Sequence, residues 1–300
     1  MPRYALTLAL VLSLLGSVAF GAPKPKVVGQ MNWSANTQTF RYGTTVTNMR
    51  NVAGDFHASV RAPQGATAQM DVPSGLGIPS PLPWIVENVQ AGGAAGASEV
   101  WRYWGCSATV PKGQPEILKG SGAAAGVFVG GSRGYADPMK TTGINEASRI
   151  KGDYTLHISY LGDIAITMTD AQEFLDPLIV TAPAEPSTVD ATKAIALAWN
   201  AVPRAAAYGV FASGKNKAGK SVIWSSTRGM NAWSDLGVAK AVKKGVLLPP
   251  DHLACTIPAG IFTGQVSVSI TAYSTETWGK GVLPALGWAQ SVAVLQIGTP

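Results

Sequence analysis

Charged residues are scarce in this sequence, at 13% of the chain, where about a quarter is usual. The three histidines, His57, His157 and His252, lie too far apart to show the spacing of metal ligands. The acidic residues within 163–176 lack the regular spacing of a calcium-binding loop. We therefore predict no metal site and no cofactor. Because the basic residues are scattered, we also predict no nucleic-acid partner.

Long hydrophobic runs are missing beyond the N-terminus, which argues against a later membrane-spanning helix. Residues 6–20 form a short apolar run that follows the positive charge of Arg3. Ala19 and Gly21 are small residues at the two positions that a signal peptidase recognises. This pattern is typical of a secretory signal peptide, so we expect residues 1–21 to be removed. The mature protein is then expected to be periplasmic or secreted, with no transmembrane segment.

Glycine and proline are abundant, with 34 and 20 residues, and several segments between them alternate as strands do. Residues 154–160 alternate polar and apolar side chains, residues 164–168 return after a turn at 161–163, and residues 266–272 alternate as cleanly. A period of two gives one wet face and one buried face, which is the pattern of antiparallel sheets. We predict an all-β fold of two antiparallel β-sandwich-like domains.

A proline-containing linker at residues 179–187 divides the chain into an N-terminal β-rich domain, residues 27–178, and a C-terminal domain, residues 188–300. The C-terminal domain has a strand that ends in Trp199, a short turn with a proline, and a second strand that starts at Tyr208. This passage resembles fibronectin type III domains, in which the tryptophan lies between two sheets. The resemblance implies a C-terminal β-sandwich.

One short helix interrupts the C-terminal domain, and it departs from the fibronectin type III pattern. The best helical signal lies at residues 235–244, where Ser234 or Asp235 is a suitable cap. Lysines fill the last turn, and Gly245 follows as the stop. We therefore predict a fibronectin type III-like sandwich with a short inserted helix.

Five short motifs along the chain resemble those of a family of exported proteobacterial proteins. They are Y-W-G-C at 103–106, G-Q-P at 113–115, W-S-S at 224–226, L-P-P at 248–250 and C-T-I-P-A-G-I-F at 255–262. The motifs match in order and in wording. The resemblance implies export and points to no particular activity.

The two cysteines, Cys106 and Cys255, are too few for a disulfide-rich scaffold or a cysteine-based zinc site. In an oxidising compartment they are able to form one disulfide between the two predicted domains. The alternative is two buried thiols, since a cysteine without a disulfide behaves as a small hydrophobic residue. The sequence leaves both possibilities open.

The sequence G-K-N-K-A-G-K-S at residues 214–221 satisfies the pattern of a phosphate-binding loop. A true loop of this kind opens a helix whose N-terminus faces the phosphates. Here a strand follows at residues 222–226, and nucleoside triphosphates are scarce outside the cytoplasm. We interpret the match as the polar tip of a hairpin.

The sequence G-G-S-R-G at residues 130–134 fits the nucleophile pattern of many hydrolases, with Ser132 as the nucleophile. Such a site requires a helix after the serine, whereas Pro138 interrupts the following residues. One of the three histidines would also have to serve as its base. The residue types of a hydrolase are present, but their context is not.

The most informative aromatic residues are Trp101, Tyr103 and Trp104, which fall within four positions. In a strand, Trp101 and Tyr103 share one face and Trp104 takes the other. An exposed cluster would stack on sugar rings or anchor a partner, whereas a buried cluster would be sandwich core. We predict these three residues as ligand-binding candidates.

These features together favour an exported, non-enzymatic protein that has a binding or structural role in the cell envelope. An envelope protein and a glycan are the candidate partners, because rigid antiparallel scaffolds with long loops present binding surfaces. The alternative is a hydrolase acting on envelope polymers or esters, with Ser132 as its nucleophile.

Overall fold

The computed structural model describes residues 27–42, 45–89, 99–119 and 131–298. The predicted signal peptide, residues 1–21, and Gly130 of the predicted hydrolase pattern lie outside these residues. The described residues contain one short α-helix, α1 (Val238–Lys243), and seventeen strands. The strands are β1 (Gly29–Tyr42), β2 (Thr45–Ala58), β3 (Ala68–Asp71), β4 (Leu82–Val89), β5 (Glu99–Trp104), β6 (Glu116–Lys119), β7 (Gly131–Ala136), β8 (Gly152–Ile158), β9 (Gly162–Met168), β10 (Val180–Ala182), β11 (Ile195–Trp199), β12 (Ala207–Lys215), β13 (Ser221–Ser225), β14 (Ala254–Ile257), β15 (Thr263–Tyr273), β16 (Thr277–Gly281) and β17 (Ala285–Ile297).

Nine strands close into a barrel, in the order β1-β2-β7-β4-β3-β8-β9-β16-β17, and a parallel pairing of β1 with β17 completes the ring. The all-β prediction is confirmed, but the predicted N-terminal sandwich is instead this closed barrel. The difference has a physical reason: a barrel wall and a sandwich sheet both have one buried and one solvated face. Alternation in the sequence therefore cannot distinguish them.

Aromatic side chains fill the barrel interior. The ring of Trp33 lies 6.3 Å from that of Trp84 and 5.4 Å from that of Tyr154, and Phe56 packs 6.0 Å from Trp84. The predicted hairpin at 154–168 is confirmed as β8 and β9, whose apolar side chains point into this core. The interior is thus a packed core rather than a channel.

Two further groups of strands lie at the C-terminal end of the fold. One is a three-stranded sheet in the order β10-β11-β14, and the other extends from β17 in the order β17-β15-β12-β13-β5-β6. Ala207 of β12 and Tyr273 of β15 pack with α1 in a small second cluster, whereas most other buried side chains of these strands share one apolar cluster with the barrel. Trp199 lies in the shared cluster with its ring 5.6 Å from that of Tyr208, whose hydroxyl oxygen accepts the N–H of Val202.

Strand β17 belongs to both parts of the fold. Its residues 285–294 pair with β1, residues 285–287 pair with β16, and residues 290–297 pair with β15. Strands β5 and β6 also cross the predicted division, because β5 pairs in parallel with β13. Part of the predicted linker is itself strand β10, which pairs with β11.

The predicted helix at residues 235–244 is present but starts later, as α1, after a 3-10 helix at Met230–Asp235. Neither Ser234 nor Asp235 caps α1. The carboxylate of Glu276 accepts the N–H of Val238 at 2.9 Å instead, from a loop distant in sequence. Tertiary contacts therefore position this helix.

Candidate functional site

The predicted aromatic residues of β5 lie on two faces of the sheet, as alternation requires. Tyr103 is buried, and Trp101 packs against the core while its indole N–H donates to Glu99 at 2.6 Å. Trp104 lies on the opposite face, beneath the guanidinium of Arg228 at 4.9 Å from the ring centroid. The three residues therefore do not form one exposed stacking platform.

Two arginines surround Trp104 on the outer face of this sheet. Arg102 and Arg228 both approach the same carboxylate oxygen of Glu116, at 2.5 and 3.9 Å. Surface ion pairs of this kind contribute little to stability. The adjoining cavity, about 30 Å³ in volume, has room for a water molecule but not for a ligand. We therefore interpret the cluster as a surface contact between β5 and β6 and not as a ligand site.

Cys106 and Cys255 form a disulfide, with their Cα atoms 5.0 Å apart. The bond joins the segment after β5 to strand β14 of the three-stranded sheet. Backbone hydrogen bonds run beside it, from Gly105 N to Ser225 O and from Ser107 N to Thr256 O. The cysteines thus have a structural position, and the alternative of two free thiols does not apply.

Ser132 is fully buried near the start of strand β7. Its hydroxyl donates to the carbonyl oxygen of Val60 at 2.7 Å and lies 2.5 Å from the hydroxyl oxygen of Tyr160. Since the single proton of Ser132 is used on Val60, Tyr160 is the donor of the second bond. The strand continues through Ala136, so the strand–turn–helix geometry of a hydrolase nucleophile does not occur at this serine.

The phosphate-loop match is the tip of the β12–β13 hairpin, where Lys215 pairs with Ser221. The side-chain oxygen of Asn216 accepts the N–H groups of Ala218 and Lys220 at 3.0 Å. These backbone donors, which a true loop would offer to phosphate, are therefore used within the turn. Strand β13 follows the tip, so no helix N-terminus faces it.

His157 lies on the outer face of the barrel between two carboxylates. Its Nδ1 is 2.9 Å from Asp163 and its Nε2 is 3.1 Å from Asp71. The hydrogen bond with Asp163, followed by that with Asp71, raises the pKa of the imidazole. Among the residues that the structure describes, no group of three or more His, Cys, Asp or Glu side chains is arranged to hold a metal ion.

A large concave surface, which we call the edge groove, was not predicted from the sequence. It has a volume of about 1060 Å³ and lies between residues 48–53 of β2 and the loop at residues 138–146. It extends over β1 as far as Gln290 of β17. Strand β7 pairs with β2 only at residues 55–58, so the groove begins where β7 leaves β2.

Six side-chain amides line the edge groove, together with hydroxyl groups and several apolar side chains. The amides are those of Asn36, Gln38, Asn48, Asn51, Asn145 and Gln290. The hydroxyls are those of Ser34, Thr37, Thr141 and Thr142. The described lining residues include no histidine, cysteine, lysine, tyrosine or aspartate, and their two charges are those of Arg50 and Glu146. The polar part of the lining thus offers both hydrogen-bond donors and acceptors.

Hydrogen bonds already order part of this lining. Asn36 is buried and donates its amide N–H to the side-chain oxygen of Asn51 at 2.8 Å, while its own side-chain oxygen has no partner within the described structure. Arg50 donates to the carbonyl oxygen of Glu146 at 2.9 Å and stacks on Phe174 at 5.3 Å. The first pair links β1 to β2, and the arginine links β2 to the opposite wall.

The sequence carried no sign of this groove. Residues 51–54, Asn-Val-Ala-Gly, have the composition of a turn, whereas the structure continues strand β2 through them. The groove depends on β7 lying beside β2, which local patterns do not reveal. Throughout the described ranges, no helix has the length and apolar character that crossing a membrane requires. Neither protein-family models nor curated proteins gave a match to this chain.

Proposed function

We propose that this chain is an exported, non-enzymatic protein with a binding or structural role in the cell envelope, located in the periplasm or secreted, and that the edge groove is its binding surface. The observation that carries the proposal is the groove itself, at about 1060 Å³. Ligand-binding clefts are usually the largest concave features of a protein and occupy roughly 300–1,000 Å³.

The chemistry of the groove favours binding over catalysis. Amides and hydroxyls offer both hydrogen-bond donors and acceptors. Catalysis by a general base or an activated nucleophile requires a titratable group. In the described lining, the titratable side chains are those of Arg50 and Glu146. Glu146 contributes its backbone oxygen to Arg50. An uncharged polar ligand, such as a glycan or a polypeptide, suits this lining.

We also propose a fibronectin type III-like fold for the C-terminal strands. Strands β10, β11 and β14 pack against β12, β13, β15 and β17, with Trp199 between the two sheets and Tyr208 early in β12. This arrangement supports a fibronectin type III-like C-terminal sandwich. Modules of this architecture commonly serve binding at cell surfaces, in agreement with the resemblance to exported proteobacterial proteins.

The test combines a glycan array with a pull-down from periplasm or medium, using residues 22–300. Gln290→Ala changes the groove lining, and Gln296→Ala is the matched control on the same strand outside the groove. Each glutamine makes one side-chain hydrogen bond, to Trp288 and to Ser267 respectively. We expect Gln290→Ala to weaken capture and Gln296→Ala to leave it unchanged. Equal capture by both variants would exclude the groove.

The alternative function, a hydrolase with Ser132 as its nucleophile, has a separate test. The burial of Ser132 and the use of its hydroxyl on Val60 argue against it. We expect a fluorophosphonate probe to leave the native protein unlabelled. Labelling that is lost in Ser132→Ala would favour the hydrolase. Immunoblotting of fractionated cells tests location, and an uncleaved cytoplasmic product would contradict export.

A further inference from the structure

Strand β2 is paired on one side over its whole length and on the other side only in part. Its pairing with β1 runs from Ala58, opposite Gly29, to Thr45, opposite Tyr42. Its pairing with β7 covers residues 55–58. Residues 47–53 of β2 therefore have no strand neighbour on that edge within the described part of the chain.

The departure of β7 has a local cause. Asp137 donates its N–H to the carbonyl oxygen of Pro83 on β4 rather than to β2. The next residue, Pro138, has no N–H to offer, and the chain turns into a 3-10 helix at Pro138–Lys140. The line that β7 would have followed along β2 is the edge groove.

Within the described residues, no strand covers this edge, and its own sequence carries little of the usual protection against strand pairing. Natural sheets block exposed edges with proline, lysine, bulges or a covering segment. Residues 47–53, Thr-Asn-Met-Arg-Asn-Val-Ala, include neither proline nor lysine, and their pairing with β1 is regular. The single charged side chain, that of Arg50, donates a hydrogen bond to the carbonyl oxygen of Glu146 in the loop at residues 138–146. Met49 is 52% exposed beside the groove.

We propose that an extended polypeptide segment binds in the edge groove as an added strand, antiparallel to β2 and in line with β7. Main-chain hydrogen bonds supply affinity in this mode of recognition, and alternate side chains supply specificity. At about 3.3 Å per residue, the open edge spans roughly 23 Å. This inference rests on the proposed function, because it names the class of partner for the same groove.

The side chains along the edge indicate what the peptide should carry. Asn36 and Asn51 already form a cross-strand amide pair on one face, and Thr39 donates to Asn48 at 3.1 Å on the other. An asparagine, glutamine, serine or threonine beside Asn51 would continue this row of hydrogen bonds.

The shape of the groove favours a single peptide segment over a second folded copy. The loop at residues 138–146 stands opposite β2 and is held to it by the bond from Arg50 to Glu146. A whole sheet approaching edge to edge would meet this wall, whereas one extended segment lies between wall and edge. Dimerisation through β2 is therefore an outcome that the test must distinguish.

The experiment selects binders from a phage-displayed library of random decapeptides on the folded protein, and then measures synthetic peptides by fluorescence anisotropy. Each peptide is remade with single N-methyl groups on its backbone. If the peptide adds as a strand, alternate N-methyl groups should weaken binding at least roughly five-fold, because each removes one hydrogen bond. Methylation at the positions between them should have little effect.

A matched pair of protein variants places the binding in the groove. Thr142 and Thr188 are both exposed, and each donates to the carbonyl oxygen three residues earlier. Thr142 lines the groove and Thr188 does not. We expect Thr142→Trp to abolish peptide binding and Thr188→Trp to preserve it. NMR hydrogen exchange should show new protection at alternate amides of residues 47–53 when the peptide is bound.

The outcomes separate the two proposals. Failure to select peptides, or peptides whose binding ignores N-methylation or Thr142→Trp, overturns strand addition. Glycan binding that is lost in Gln290→Ala would leave the proposed function standing while strand addition fails. A dimer in sedimentation, with protection at residues 47–53 and no peptide present, would assign the edge to a second copy and overturn the peptide partner. If neither a peptide nor a glycan binds, both proposals are overturned.

Discussion

His157 shows how two neighbouring strands tune one side chain. Its ring bridges Asp163 on β9 and Asp71 on β3. Both hydrogen bonds raise the pKa of His157, and the bond with Asp163 has the larger effect. Because the folded pKa exceeds the unfolded value of about 6.5, the stabilisation is complete below that pH. It is lost as pH rises through the folded pKa.

We therefore expect the free energy of unfolding to fall as pH increases above about 6.5, by roughly 0.5 kcal/mol from this partly exposed pair. Urea titrations between pH 5.5 and 8.5 would measure this change. NMR titration of His157 in Asp163→Asn should give a lower pKa than in the unmodified protein. An unchanged pKa in that variant would contradict the assigned cause.

Gly134 is the last glycine of the hydrolase-like pattern, and side-chain packing explains why a glycine stands there. A Cβ at this position would clash with the ring of Phe56 across the β2–β7 pair. We expect Gly134→Ala to destabilise the fold by about 1–3 kcal/mol, as overpacking usually does. Chemical denaturation would measure the loss.

The control for this change is Gly75→Ala. A Cβ there would lie 3.7 Å from that of Arg149, an ordinary contact, so a change within about 0.5 kcal/mol is expected. Equal stability of the two variants would mean that Phe56 moves aside readily. The glycine would then need another explanation.

The disulfide connects elements that local sequence does not relate. Cys106 follows β5, and Cys255 lies on β14 in the three-stranded sheet. Through this bond the β5–β6 pair, which enters the sheet beside β13, is fastened to the opposite sheet. The covalent link reinforces a position that strand pairing with β13 already specifies.

We expect the double variant Cys106→Ser, Cys255→Ser to lose about 2–4 kcal/mol of stability, mainly because the unfolded chain gains freedom. Thermal unfolding of the oxidised protein, the reduced protein and the double variant would test this. The reduced protein should match the double variant. Identical melting temperatures for all three would show that the bond does not contribute.

The whole molecule is joined through β17, which pairs with β1 and β16 in the barrel and with β15 in the C-terminal sheet. If either part unfolds and β17 leaves its place, the buried side chains of the other part become exposed as well. We expect one cooperative unfolding transition, with circular dichroism and tryptophan fluorescence changing together. Gly134→Ala in the barrel and the cysteine variant in the C-terminal part should each shift the entire transition. Two separate transitions would contradict the shared strand.

Some of this architecture was predictable from local pattern. The alternation at residues 154–168 specified the β8–β9 hairpin, and the polar tip after β12 specified the next one. Trp199, expected in the core from the fibronectin type III resemblance, is buried beside Tyr208 in the structure. In each of these cases the partners are close in sequence, so composition and turn residues carry enough information.

Barrel closure, the disulfide and the edge groove depended on tertiary structure. Alternation with a period of two shows which side chains of a strand are buried, but it does not show which strand lies alongside. The parallel pairing of β1 with β17 joins the two ends of the described chain, and the groove exists because β7 leaves β2 at Pro138. Residues in the groove are ordinary polar strand residues until that departure places them beside an open edge. Their proposed binding role therefore follows from strand order, which no short segment of this sequence contains.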